Sequence, residues 1–126
     1  MKFHELVRIM DDHRVIVDGF YTPGERGLNQ STFTLLRRRL KDSLDEVNYC
    51  VDWMLGGGPK AFVNQTSEGL RRIISREYGK DVERGPVIIA AIHLGIPFRT
   101  MDRTAVFPRI QTRKLKECFN QREAAV

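Results

Sequence analysis

A chain of 126 residues, 41% hydrophobic and 29% charged, has the size and balance of one globular domain around one core and not of a disordered tail. Its longest apolar run, Val87-Ile88-Ile89-Ala90-Ala91-Ile92, falls far short of the ~18–20 residues that span a bilayer, so no membrane partner is expected. The net charge is +5, yet residues 1–59 carry eight Lys/Arg against nine Asp/Glu and residues 60–126 thirteen against seven, so the basic excess lies in the second half, where it would attract phosphate backbones or an acidic partner.

The first twenty residues hold Glu5, Arg8, Asp11, Asp12, Arg14 and Asp18, which leaves no uninterrupted apolar stretch for a secretory signal; a cytoplasmic location is expected. Two readings compete for residues 3–20. The preferred one is a β-hairpin, with Asp11-Asp12-His13 turning between Leu6–Met10 and Arg14–Phe20, which holds the β-branched Val15, Ile16 and Val17. The other is a short helix followed by one strand, because Phe3, Leu6, Val7 and Met10 fall at helical spacing. Residues 21–30 contain Pro23, Gly24 and Gly27 and read as a loop.

Next comes the strongest periodicity. Phe33, Leu36, Leu40, Leu44, Val47, Val51 and Met54 recur at steps of three and four, which predicts one long helix over about 32–55 with Ser31 or Thr32 as N-cap. Gly56-Gly57-Gly58-Pro59 ends it, since glycine accepts a left-handed cap and proline cannot continue the helix. With Lys60 this run has some look of a phosphate loop, but it follows a helix and lacks the Ser/Thr after the lysine, so it reads as a terminator. Residues 1–126 are taken as a single domain, with 56–59 a hinge between a near-neutral N-terminal half and a basic C-terminal half. Tyr49, Trp53 and Met54, near the end of the helix, are candidate interface anchors for a second copy or another protein. Their bland alternative is burial in the core.

Residues 60–64 read as extended. Thr66 or Ser67 then caps a helix that buries Leu70, Ile73, Ile74 and Tyr78 and ends at Gly79-Lys80. Gly85-Pro86 opens another that runs through Ile92 and stops near Gly95. A further short helix is expected between Ile96 and Pro108, and a last, basic one from Thr112 to about Asn120. The expected class is therefore α+β, mainly α: an N-terminal hairpin, one long helix and three or four shorter ones.

Within Ala91-Ile92-His93-Leu94-Gly95-Ile96, Ala91 suits a close crossing of two helices and Gly95, four residues on, suits a turn with positive φ. Leu94, Ile96 and Met101 supply apolar residues at positions that bury such a corner. On these residues, 87–106 resembles the helix-turn-helix of DNA-binding regulators. The resemblance implies a recognition helix starting near Pro97, with Arg99, Thr100 and Arg103 in the major groove. Arg109, Arg113, Lys114 and Lys116 would then grip phosphates. The same corner could equally be a packing feature.

His4, His13 and His93 are scattered, and Cys50 and Cys118 lack matched histidines, so no metal site is expected. Asp42, Asp45 and Glu46 share a helix with Arg38 and Lys41 and read as a solvated ion-pair face. No nucleophile stands beside a base, so neither an enzyme nor a cofactor is expected. The leading expectation is a small DNA-binding protein, a regulator or phage or plasmid accessory factor, able to form a homodimer. Its rival is a protein-interaction module or inhibitor that meets an acidic partner. RNA is a third choice, with Phe98 and Phe107 stacking on bases.

Overall fold

A computed structural model describes residues 1–21, 30–57 and 61–111. The chain is mainly helical with a minor β component, as the periodicities predict. It opens with α1 (Phe3–His13) and a two-residue-strand hairpin, β1 (Val15–Ile16) and β2 (Gly19–Phe20). Two helices follow, α2 (Gln30–Lys41) and α3 (Leu44–Asp52), then a π-helical turn over Trp53–Gly57. Strand β3 (Ala61–Thr66) leads into α4 (Ser67–Tyr78) and α5 (Arg84–Leu94). A second hairpin, β4 (Arg99–Met101) and β5 (Thr104–Gln111), completes the described chain. Strands β3, β5 and β4 form an antiparallel sheet in that order, with β5 in the middle.

The N-terminal hairpin exists but is confined to residues 15–20, and residues 3–13 take the helical alternative. Leu6, Ile9 and Met10 form the buried stripe of α1, so Asp11-Asp12-His13 complete its last turn instead of reversing the chain. Arg14, left-handed at φ 55°, closes the helix with its N–H on the Met10 carbonyl.

One long helix is likewise replaced by two. Asp42 and Ser43 interrupt the helix, and the Ser43 hydroxyl donates to the Leu40 carbonyl at 2.6 Å, taking an acceptor that helical continuation would use. The apolar spacing runs through the break, which is why the pattern alone conceals it. Buried Leu40 and Val47 still join one core.

Both ends of α4 match expectation. The Thr66 side chain accepts the Gly69 N–H at 3.0 Å, and Gly79 at φ 79° caps the C-terminus. The α5 helix ends on Gly95 at φ 75°, also as expected. The core draws on both halves of the sequence: Leu6, Met10, Leu40, Val47 and Trp53 pack in one cluster with Leu70, Ile74, Val87, Ile88 and Phe107. The hinge placed at 56–59 falls partly outside the described residues, as does the whole of the basic helix expected over 112–120.

Candidate nucleic-acid interface

The proposed recognition helix is not a helix. Residues 99–101 and 104–111 are strands, and Asp102 at φ 55° supplies the left-handed residue of the turn between them. The alternation explains this: Ala105 and Phe107 are buried while Thr104 and Val106 are only partly so, a period of two that suits a sheet with one covered face. Pro108 is tolerated in β5 because β4 pairs only with residues 104–106, so Pro108 lies beyond the end of its neighbour on that side.

This scatters the expected DNA-contacting set. Arg99 and Thr100 are exposed on β4 beside Met101, which is 58% exposed. Arg103 lies half-buried in the turn, and its carbonyl accepts the Phe20 N–H at 3.1 Å, docking the second hairpin on the first. Arg109 belongs to β5 opposite Val63, and Arg113, Lys114 and Lys116 lie outside the described residues.

The interface anchors are also corrected. Trp53 and Met54 are 3% and 2% exposed and belong to the core, and the Trp53 indole N–H donates to Glu77 of α4. Tyr49 is half-buried and packs on Tyr78, ring centroids 4.4 Å apart. These aromatics fasten α3 and its π-turn to α4 and are spent inside the chain.

A helix-turn-helix pair is nonetheless present one element earlier, as α4, the turn 79–83 and α5. Its second helix cannot enter a groove. Gly85, Pro86, Val87, Ile88, Ile89, Ala90, Ala91 and Leu94 are buried, so α5 is enclosed on most of its circumference. Part of that cover is the first hairpin: the Gly85 N–H donates to the Val17 carbonyl at 2.9 Å, and a Cβ on Gly85 would come within 2.5 Å of the Ile16 carbonyl oxygen. Withdrawing Val87, Ile88, Ile89 and Leu94 from the core would cost about 1.5–3 kcal/mol each. That total matches or exceeds the roughly 5–8 kcal/mol of an entire non-specific DNA contact.

The first helix of the pair carries the accessible chemistry. Its inner stripe buries Leu70 and Ile74; Arg72 and Arg76, four apart, fall on a different side, and Lys80 follows the Gly79 cap. With Arg71, Ser75, Gly79 and Asp81 they line an open depression of about 560 Å³. Four cations there face one carboxylate. The turn folds back over the helix end because the Val82 N–H donates to the Ser75 hydroxyl at 2.8 Å.

The four cations are not equivalent. Arg71 donates to Glu68 at 2.8 Å, and this bond, with the charges of Arg71, Arg84 and Arg72, holds the Glu68 carboxyl below its ordinary pKa. Glu68 thus holds Arg71 in place, and Arg84 extends the network with 2.8 Å to Asp18 and 3.2 Å to the Thr104 hydroxyl. Arg72, Arg76 and Lys80 are exposed. Burial, then the Glu83 charge, push the Glu46 carboxyl up against the opposing pull of Lys80 and Arg39, and Glu83 is itself paired with Arg39 at 3.4 Å.

Sequence reasoning placed α4 but passed over Arg71, Arg72, Ser75, Arg76 and Lys80 as a site. The signal available was the four-residue spacing of Arg72, Arg76 and Lys80. Among the described residues no group of three His, Cys, Asp or Glu could hold a metal ion, and no helix is long and apolar enough to cross a membrane. Cys50 is buried, and that burial pushes its thiol up to about 12, which keeps it protonated. No family model matches the sequence, and comparison with curated proteins and with solved structures gives no match.

Proposed function

We propose that this protein binds DNA through its sugar–phosphate backbone, with the basic face of α4 as the contact surface and without reading bases. The observation that carries the reading is the depression in which Arg71, Arg72, Arg76 and Lys80 converge. Cations on one helix face displace counterions from a phosphate backbone, which gives affinity and strong salt dependence but no sequence information. The excess of positive charge in residues 60–126 acts in the same direction. Among the described residues, burial of α5 takes away the groove-reading helix that the sequence suggested, which favours backbone contact.

The test is fluorescence anisotropy of a labelled random-sequence duplex, titrated with protein at low and near-physiological salt. Micromolar binding that weakens steeply with salt is the expected result. An Arg72→Ala/Arg76→Ala/Lys80→Ala variant should lose at least about tenfold in affinity at low salt, and its salt slope should fall by roughly 0.9 for each phosphate contact removed. Arg99→Ala should change affinity little. No binding at low salt, or unchanged binding by the triple variant, overturns the proposal. Tighter binding of an RNA duplex would redirect it to RNA.

A further inference from the structure

Resting on that backbone-binding reading, we infer that Glu68 is a built-in competitor for the basic face of α4: its carboxylate occupies arginines that a DNA phosphate would otherwise take, and so lowers the affinity of the site. The arrangement is convergent. Glu68 Oε2 accepts from Arg71 Nε at 2.8 Å, Glu68 Oε1 lies 3.4 Å from Arg72 Nε, and Arg84 of α5 brings its Nε to 3.7 Å from Oε2. Three guanidinium groups from two helices therefore share one carboxylate, and both of its oxygens are engaged. Arg71 and Arg72 are two of the four cations that line the depression, whereas Glu68 is not among its lining residues. Two of the donors offered to a phosphate backbone are thus already held by an internal anion.

The three pairs differ in how readily they give way. Arg84 has two other anchors, Asp18 at 2.8 Å and the Thr104 hydroxyl at 3.2 Å, so it stays with the fold. Arg71 makes the shorter contact, with a side chain 29% exposed, and Arg72 the longer one, with a side chain 69% exposed. An exposed pair such as Arg72–Glu68 contributes little, and a phosphate offers an acceptor that an arginine fork grips through two parallel hydrogen bonds. Arg72 is therefore the residue that exchanges Glu68 for phosphate when DNA arrives, while Arg71 remains a fixed donor. After the exchange Glu68 still stands beside the phosphate and repels it, so its charge opposes binding throughout. In the free protein the same carboxylate keeps three like charges together. Stability and affinity therefore respond to Glu68 with opposite signs, which an ion pair that only orients its arginines would not show.

The experiment titrates the labelled random-sequence duplex with the unaltered chain, Glu68→Gln, Arg72→Ala and the double variant, at low and near-physiological salt. Glu68→Gln should bind about three- to fivefold more tightly, the scale of one exposed ion pair, with a salt slope steeper by up to about 0.9 for one further phosphate contact. Its circular dichroism melt should stay cooperative with a lowered midpoint. Arg72→Ala should cost more affinity in the Glu68→Gln background than in the parent, because only there is the guanidinium wholly available to phosphate. Glu83→Gln removes the same charge from a carboxylate paired with Arg39 and outside the lining, and should change affinity less. Should Glu68→Gln lose its melt, Glu68→Asp, which keeps the charge but shortens its reach, takes its place with the same signs expected. Unchanged or weaker binding by the folded variant, with the salt-dependent binding of the parent intact, overturns the inference and leaves Glu68 as a residue that only orients Arg71. Tightening no greater than that of Glu83→Gln, with Arg72→Ala costing the same in both backgrounds, also overturns it, since net charge would then be the whole effect. Binding by neither parent nor variant overturns both readings.

Discussion

Helices α4 and α5 are neighbours in sequence and of nearly equal length, yet they have opposite fates. The α4 helix buries Ser67, Leu70 and Ile74 and gives the rest of its circumference to water, ion pairs and the basic depression. The α5 helix buries eight of its eleven residues and serves as the post around which α1, α3, α4 and the first hairpin pack. The small-residue and glycine pattern that suggests a DNA-reading corner is real, but it belongs to the buried helix, where Ala90 and Ala91 allow close packing and Gly95 ends the helix in the left-handed region. A motif that favours tight helix packing says how closely two backbones approach. Which face then meets solvent depends on elements far away in sequence, here residues 15–20.

The contrast breaks most sharply if one charge is placed on each helix. Ile89→Asp puts an unpaired carboxylate at a site with no exposure and should cost more than ~4 kcal/mol, a large share of the roughly 5–15 kcal/mol available to a domain of this size. The expected result is loss of a cooperative thermal transition by circular dichroism. Arg76→Asp, on exposed α4, should shift stability by no more than about 1 kcal/mol, chiefly through the helix dipole, while weakening DNA binding. Comparable destabilisation by both would mean that α4 is buried more than its exposure indicates.

Gly19 tests the cover on α5 and ranks next. It sits at φ +124°, and a Cβ there would lie 2.1 Å from the Arg103 carbonyl oxygen, the acceptor of the Phe20 N–H. Backbone strain and the collision together should make Gly19→Ala cost about 2–4 kcal/mol, measured by denaturant unfolding. A neutral result would show that the two hairpins separate freely and that α5 is less enclosed than the static contacts imply.

What could be read ahead of the structure follows from the range of the interactions. Thr66, Gly79 and Gly95 mark helix ends through bonds spanning three or four residues, so their roles were legible locally. The break at Ser43 is also local, but a serine hydroxyl competing for a carbonyl leaves no mark on apolar spacing. Residues 99–107 were misread as helix because their period of two covers only a few positions and β3, the strand that pairs with the other edge of β5, lies some forty residues earlier. The basic depression was half legible: the spacing of Arg72, Arg76 and Lys80 is visible in the sequence, but the fold-back of the turn, held by the Val82 N–H on the Ser75 hydroxyl, which brings Lys80 and Asp81 beside Arg72 and Arg76, is a product of folding.

The smallest expected effect concerns two carboxylates, Glu68 and Glu46, whose surroundings shift them in opposite directions. Hydrogen bonding from Arg71 and the charges of Arg71, Arg84 and Arg72 lower the folded-state pKa of Glu68. Its contribution to stability is therefore complete above the ordinary carboxylate value and is lost as pH falls through the lowered one. Glu46 is raised by burial and by Glu83, so its charge opposes folding above the raised value, and that opposition is relieved as pH falls through it. Glu68→Gln should then lower stability near neutrality and flatten part of the loss on acidification. Glu46→Gln should raise stability near neutrality and remove the relief. Denaturation midpoints between about pH 3 and 7 give both slopes, and the two variants should bend the parent curve in opposite directions. Bending in the same direction would mean that burial and charge balance at one of the two carboxylates in the opposite sense to the one its surroundings indicate.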